Sequence, residues 1–118
     1  MIIKLKNNIY NLNNFKQIGV EDLYVRIDYA EPSYCCDGET ENYYSIIDTD
    51  YEIFDDIQTN NNYDHKDMRW IKSIVTWKIY NLIWKSLCNK VDVLDLDDVF
   101  ENMCNEAQVE YEAEFDED

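Results

Sequence analysis

Leu23, Val25, Ile27 and Tyr29 alternate with Tyr24, Arg26 and Asp28. That period of two is the pattern of a strand with one buried face. Pro32 is expected to end it, because proline cannot donate to a sheet ladder. Asp37-Gly38 is a turn dipeptide, and Asn42 to Asp48 reads as the return strand. Upstream, Ile2 to Lys6 and Ile9 to Leu12 flank Asn7-Asn8. This predicts a small hairpin, since Asn tolerates the positive φ that tight turns need. Thr49-Asp50-Tyr51-Glu52 has the form of a capping box opening a short helix through Ile57. A strand from Tyr51 to Phe54 is the rival reading. Gln58 to Tyr63, with three consecutive asparagines, reads as a loop.

The period then changes from two to 3.6. Asp64 and Asp67 mark a helix start, and the helix runs to about Cys88, with Lys85 and Lys90 suited to its negative end. Trp70, Trp77 and Trp84 recur every seven residues. Apolar side chains cover nearly the whole circumference, leaving one polar arc with Lys78, Asn81 and Lys85. Such a helix is expected to be wrapped by other elements or by a second subunit, and the tryptophan stripe reads first as core. Asp95 is placed to cap a second, shorter helix. Leu96, Val99, Phe100, Met103, Cys104 and Ala107 form its apolar stripe, with Asp97, Asp98, Glu101, Asn105 and Glu106 lying away from it.

The last ten residues, V-E-Y-E-A-E-F-D-E-D, return to alternation. Val109, Tyr111, Ala113 and Phe115 oppose Glu110, Glu112, Glu114 and Asp116, which predicts a C-terminal acidic strand. The expected fold is a single α+β domain over residues 1–118. Its mainly antiparallel sheet packs on one long Trp-rich helix, with the shorter helix and the acidic strand closing the chain.

Charge sharpens this picture. The chain of 118 residues carries 10 Lys and Arg against 26 Asp and Glu, for a net charge of −16. The charge is banded: +3 over residues 1–20, −11 over 21–60, +4 over 61–90 and −12 over 91–118. Phosphates would repel such a chain, so direct contact with nucleic acid or an anionic membrane is not expected. The opening M-I-I-K-L-K-N-N has neither a long apolar run nor a small-residue cleavage site. No leader and no membrane span are expected, a cytoplasmic location follows, and the cysteines are expected to be reduced.

The catalytic inventory is thin. Two glycines, Gly19 and Gly38, leave no phosphate-cradling loop and no dinucleotide fingerprint. His65, the only histidine, reads as a surface residue at a helix start. Cys35-Cys36 are adjacent, whereas zinc sites space paired cysteines two to four residues apart. Cys88 and Cys104 read as small hydrophobes on helix stripes. Asp48 to Glu52 has the alternating acids of a calcium loop. It has Ile53 where the loop's glycine belongs and Thr59 where its closing glutamate belongs. No metal, no cofactor and no enzymatic activity are expected.

What remains is ordered negative charge among tyrosines. Asp48, Asp50 and Glu52 form one row; Glu110, Glu112, Glu114 and Asp116 form another; Asp97, Asp98 and Glu101 line the second helix. Tyr43 and Tyr51 lie beside the middle row, and tyrosine is favoured in protein interfaces. Carboxylates on one face of a strand repeat at about 6.6 Å, close to phosphate spacing, and arginine pairs with carboxylate as it does with phosphate. These residues are the candidate partner-binding set. They point to a stoichiometric inhibitor that occupies the basic nucleic-acid-binding surface of another protein, such as a nuclease complex. Phage counter-defence proteins of the anti-CRISPR or anti-restriction kind are an analogy of charge and size. The alternatives are an immunity protein or antitoxin, and an oligomeric subunit that forms a homodimer through Trp70, Trp77 and Trp84.

Overall fold

Isoleucine and valine side chains from two small sheets meet one face of a long helix. In the computed structural model, residues 1–6, 8–34, 41–49 and 64–115 are described. The strands are β1 (Ile2–Leu5), β2 (Asn8–Asn11), β3 (Phe15–Glu21), β4 (Tyr24–Tyr34), β5 (Glu41–Asp48) and β6 (Val93–Asp95). Helix α1 (His65–Cys88) precedes β6, and α2 (Asp97–Phe115) follows it. One sheet has the order β2-β1-β6 and the other β3-β4-β5. Pairing is antiparallel except between β1 and β6, which run parallel. The fold is α+β, with antiparallel pairing dominant and one helix longer than the other.

The alternating segment behaves as its pattern requires. Val25, Ile27 and Tyr29 of β4 are buried, as is Leu23 just before it. Ile27 pairs with Ser45 of β5 and with Ile18 of β3. Strand β4 continues past Pro32 to Tyr34, contrary to the expected stop. Its register with β5 shifts between Asp28 and Ser33, so proline's missing N–H falls where regular pairing is interrupted.

Helix α1 begins with a capping box. The Asp67 N–H donates to Asp64 Oδ1 at 2.9 Å, and the Asp64 N–H donates to Asp67 Oδ2 at 3.1 Å. Its far end closes in a Schellman arrangement: Lys90 N–H to Leu87 O at 3.1 Å and Val91 N–H to Ser86 O at 3.0 Å. Lys90 holds the left-handed position that usually takes glycine, with φ of 55°. Ile71, Val75, Ile79 and Ile83 form the buried stripe of α1. It packs on β3, β4 and α2. Leu96, Phe100, Met103, Cys104 and Ala107 of α2 complete the same core, as their spacing predicts.

A buried polar pair sits between helix and sheet. The Thr49 and Thr76 hydroxyls touch each other, and both residues are fully buried. Thr49 Oγ1 also reaches the Leu23 carbonyl, and Thr76 Oγ1 the Lys72 carbonyl at 2.7 Å. The two hydroxyl protons can fill two of these three contacts at a time, so each donor has an acceptor.

Three further expectations are corrected. The C-terminal acidic strand is the second half of α2. Its alternation is real, but no Gly, Pro or other breaker separates it from the helical stripe that precedes it. Tyr111 extends that stripe four residues beyond Ala107, and Glu and Ala are strong helix formers. Val109 is 66% exposed, which a buried strand face could not be. The tryptophans are not core either: Trp70, Trp77 and Trp84 are 45%, 51% and 37% exposed. The buried arc of α1 is filled by aliphatic side chains, and the tryptophans lie on the opposite side. Finally, Cys88 is exposed at the end of α1, whereas Cys104 is buried as expected. The predicted short helix or strand after Thr49, the loop of Gln58 to Tyr63 and the Cys35-Cys36 pair lie outside the described residues.

Candidate functional site

Because 109–115 is helical, the carboxylates do not form one face. A helix turns 100° per residue, so Glu110 and Glu114 share a side and Glu112 points away from both. Glu106, Glu110 and Glu114 form a row at four-residue intervals, about 6 Å apart along the axis. Asp98, Glu101 and Glu112 lie on the outer side of α2 and are exposed. The strand-based row expected from the sequence is thus replaced by two helical rows.

The inner row faces α1. Lys78 Nζ lies 3.5 Å from Glu106 Oε2 and 3.2 Å from Glu110 Oε2. One lysine therefore serves two carboxylates, and Glu114 lies one turn beyond. Between the helices runs a groove of about 850 Å³. Trp70, Ile74 and Trp77 line it from α1, Glu110 and Glu114 from α2, and Lys78 also contributes. The aromatic face continues past the groove: Trp77 meets Tyr80 edge-on with centroids 5.6 Å apart, Tyr80 meets Trp84 at 6.3 Å, and Trp84 meets Phe15 at 6.1 Å.

A second tie holds α2 against α1. The Tyr111 hydroxyl donates to Asp67 Oδ1, the carboxylate that also closes the capping box. The Tyr111 hydroxyl and the Asp64 backbone N–H both hold the Asp67 carboxyl below its ordinary range. The same bond to Asp67 pushes the Tyr111 phenol up to about 12. The α1 capping box and the acidic end of α2 are therefore joined at one carboxylate.

The other predicted residues are dispersed. Asp97 has a structural partner: the Lys6 N–H donates to its Oδ1 at 2.7 Å, fixing the start of α2 to the β1–β2 turn. Asp48 lies exposed at the end of β5, and Tyr43 on the same strand is 59% exposed. Asp50, Tyr51, Glu52 and Asp116 lie outside the described residues. His65 is exposed at the first position of α1. Among the described residues, no three His, Cys, Asp or Glu side chains are grouped to hold a metal ion, and no helix is long and apolar enough to cross a membrane.

Sequence reasoning missed the groove itself, along with Lys78 and Glu106 as part of it. The heptad tryptophans were the available signal, but periodicity identifies a face and does not say whether that face is covered. Comparisons with protein families, curated proteins and solved structures find no match to the chain.

Proposed function

We propose that this protein is an acidic stoichiometric inhibitor that acts by binding. Through α2 and the adjoining groove it engages the basic, nucleic-acid-binding surface of another cytoplasmic protein and excludes the nucleic acid, as phage counter-defence inhibitors do. One observation carries this reading. The last turn of α2 contains Glu112 and Glu114 and no basic residue. The helix macrodipole places partial negative charge at that end, so each carboxylate there opposes its own helix. Folded proteins tend to break such local rules where function needs it. Here the acids are fixed on a packed helix, and a cationic partner would relieve both the dipole clash and the mutual repulsion. Net charge of −16 would also accelerate encounter with a basic target.

The test is retention. The immobilised whole chain should hold a basic nucleic-acid-binding protein from an extract of the host cell. Reversing charge at Glu110, Glu112 and Glu114 should release it while the circular dichroism spectrum stays helical. Equal retention by the folded triple variant contradicts the reading. The exposed tryptophans favour a second reading, an oligomeric subunit that self-associates through α1. A sedimentation coefficient that stays monomeric across micromolar concentrations rules against it.

A further inference from the structure

We propose that the α1–α2 groove is a receptor for arginine side chains, taking an extended, arginine-bearing segment of a protein partner and discriminating against lysine. This rests on the reading of the acidic face as a docking surface and adds the chemistry of the residue it selects.

The two walls of the groove carry the two features that a guanidinium uses together. Trp70 and Trp77 offer half-exposed indole surface from α1. Glu110 and Glu114 offer carboxylates from α2. A planar guanidinium stacks on an aromatic face and pairs bidentately with a carboxylate at its edge; a compact ammonium gains less from stacking and cannot fork. The molecule itself builds this combination among the described residues. Arg26 lies over the Tyr44 ring at 4.3 Å while its Nε approaches Asp28 Oδ1 at 3.1 Å.

Other occupants fit less well. A nucleic acid brings phosphates against Glu110 and Glu114. A second copy brings the same acidic wall and another −16 charges. It also has no arginine to spare: the chain contains two, Arg26 engaged with Asp28 and Arg69 paired with Asp22. Lys78 defines how the groove is used. It already holds Glu106 and Glu110, so an incoming guanidinium meets Glu114 first and competes with Lys78 for Glu110.

The experiment uses the full chain with two capped peptides, hexa-arginine and hexalysine. Binding is followed by tryptophan fluorescence and calorimetry at low and high salt. Hexa-arginine should bind about two- to fivefold more tightly than hexalysine, the ratio expected for one exposed cation–π contact. Trp77→Leu should bring hexa-arginine down toward the hexalysine level and weaken hexalysine less. Lys78→Met keeps the apolar stem, frees Glu110, and should tighten hexa-arginine; this second variant guards against a Trp77 variant that fails to fold. Equal, salt-sensitive binding of both peptides, or indifference of the preference to Trp77→Leu and Lys78→Met, overturns the arginine receptor and leaves the acidic docking face standing. Binding of neither peptide at low salt overturns both.

Discussion

Glu114→Lys should make the fold more stable and the protein worse at its task. Glu114 lies in the last turn of α2, where there is no base. A charge near a helix end is worth about 0.3–1 kcal/mol at low ionic strength, so exchanging an acid for a base counts twice, about 0.6–2 kcal/mol. The new lysine also stands four residues after Glu110, in the favourable Glu-to-Lys order, for about 0.2–0.5 kcal/mol more. That last increment is partly forestalled, because Lys78 already holds Glu110 at 3.2 Å. For a chain of this length, each kcal/mol corresponds to about 3–6 °C in melting temperature. The assay is thermal unfolding by circular dichroism at low salt and again at about 1 M salt, where the Debye length falls to about 3 Å. The expected result is a rise of several degrees at low salt that largely disappears at high salt, together with weaker hexa-arginine binding. No rise at low salt, or a rise of the same size at both salt levels, refutes the electrostatic reasoning.

Other expectations follow from single features. Lys90→Gly relieves a left-handed residue at the end of α1 and should stabilise by about 0.5–1 kcal/mol, read from urea unfolding. Val substitutions at Thr49 and Thr76 should each cost about 0.5–1.5 kcal/mol, because each single change leaves the surviving hydroxyl a carbonyl to donate to. The double variant should cost less than the sum, and strict additivity would show that the two hydroxyls do not couple. The Asp67–Tyr111 tie should respond to pH at both extremes. Asp67 titrates low in the folded chain, so its contribution is present above the ordinary carboxylate range and is lost as pH falls through the depressed value. Tyr111 titrates high, so its contribution is complete below the ordinary phenol value of 10.0 and is lost as pH climbs through about 12. Tyr111→Phe should return the Asp67 carboxyl toward its ordinary range, measured by NMR titration; an unmoved Asp67 would show that the hydroxyl is not its partner.

The elements with strong periodicity were legible before any coordinates. The β4–β5 pair, the start of α1 at Asp64 and Asp67, and the Leu96 to Ala107 stripe of α2 all follow from spacing and capping chemistry. Strand β3 was not legible, because Lys16, Gln17 and Gly19 blur its alternation. Its turn into β4 places Asp22, with φ of 47°, where glycine would have signalled a hairpin. Strand β6 is three residues long and exists through its parallel pairing with β1, a contact about ninety positions away in sequence. The acidic end of α2 shows why alternation alone misleads. V-E-Y-E-A-E-F satisfies a period of two, yet Cys104, Ala107 and Tyr111 carry a helical stripe through it, and continuity with the preceding turns decides. For the site, the sequence identified Glu110, Glu112 and Glu114 as acids of interest but placed them on one face. Only the packing of α2 against α1 reveals that Glu110 and Glu114 share a groove with two tryptophans and that Lys78 pairs with Glu110 there.

The central claim is that fixed carboxylates on α2 occupy a surface built for nucleic acid. It is tested most directly by competition on the complex. The protein is bound to its isolated basic partner, and duplex DNA or RNA is titrated in at moderate and then high salt. Displacement in both directions, with affinity falling steeply as salt rises, is the expected result. A complex that neither excess nucleic acid nor about 1 M salt disturbs would contradict it.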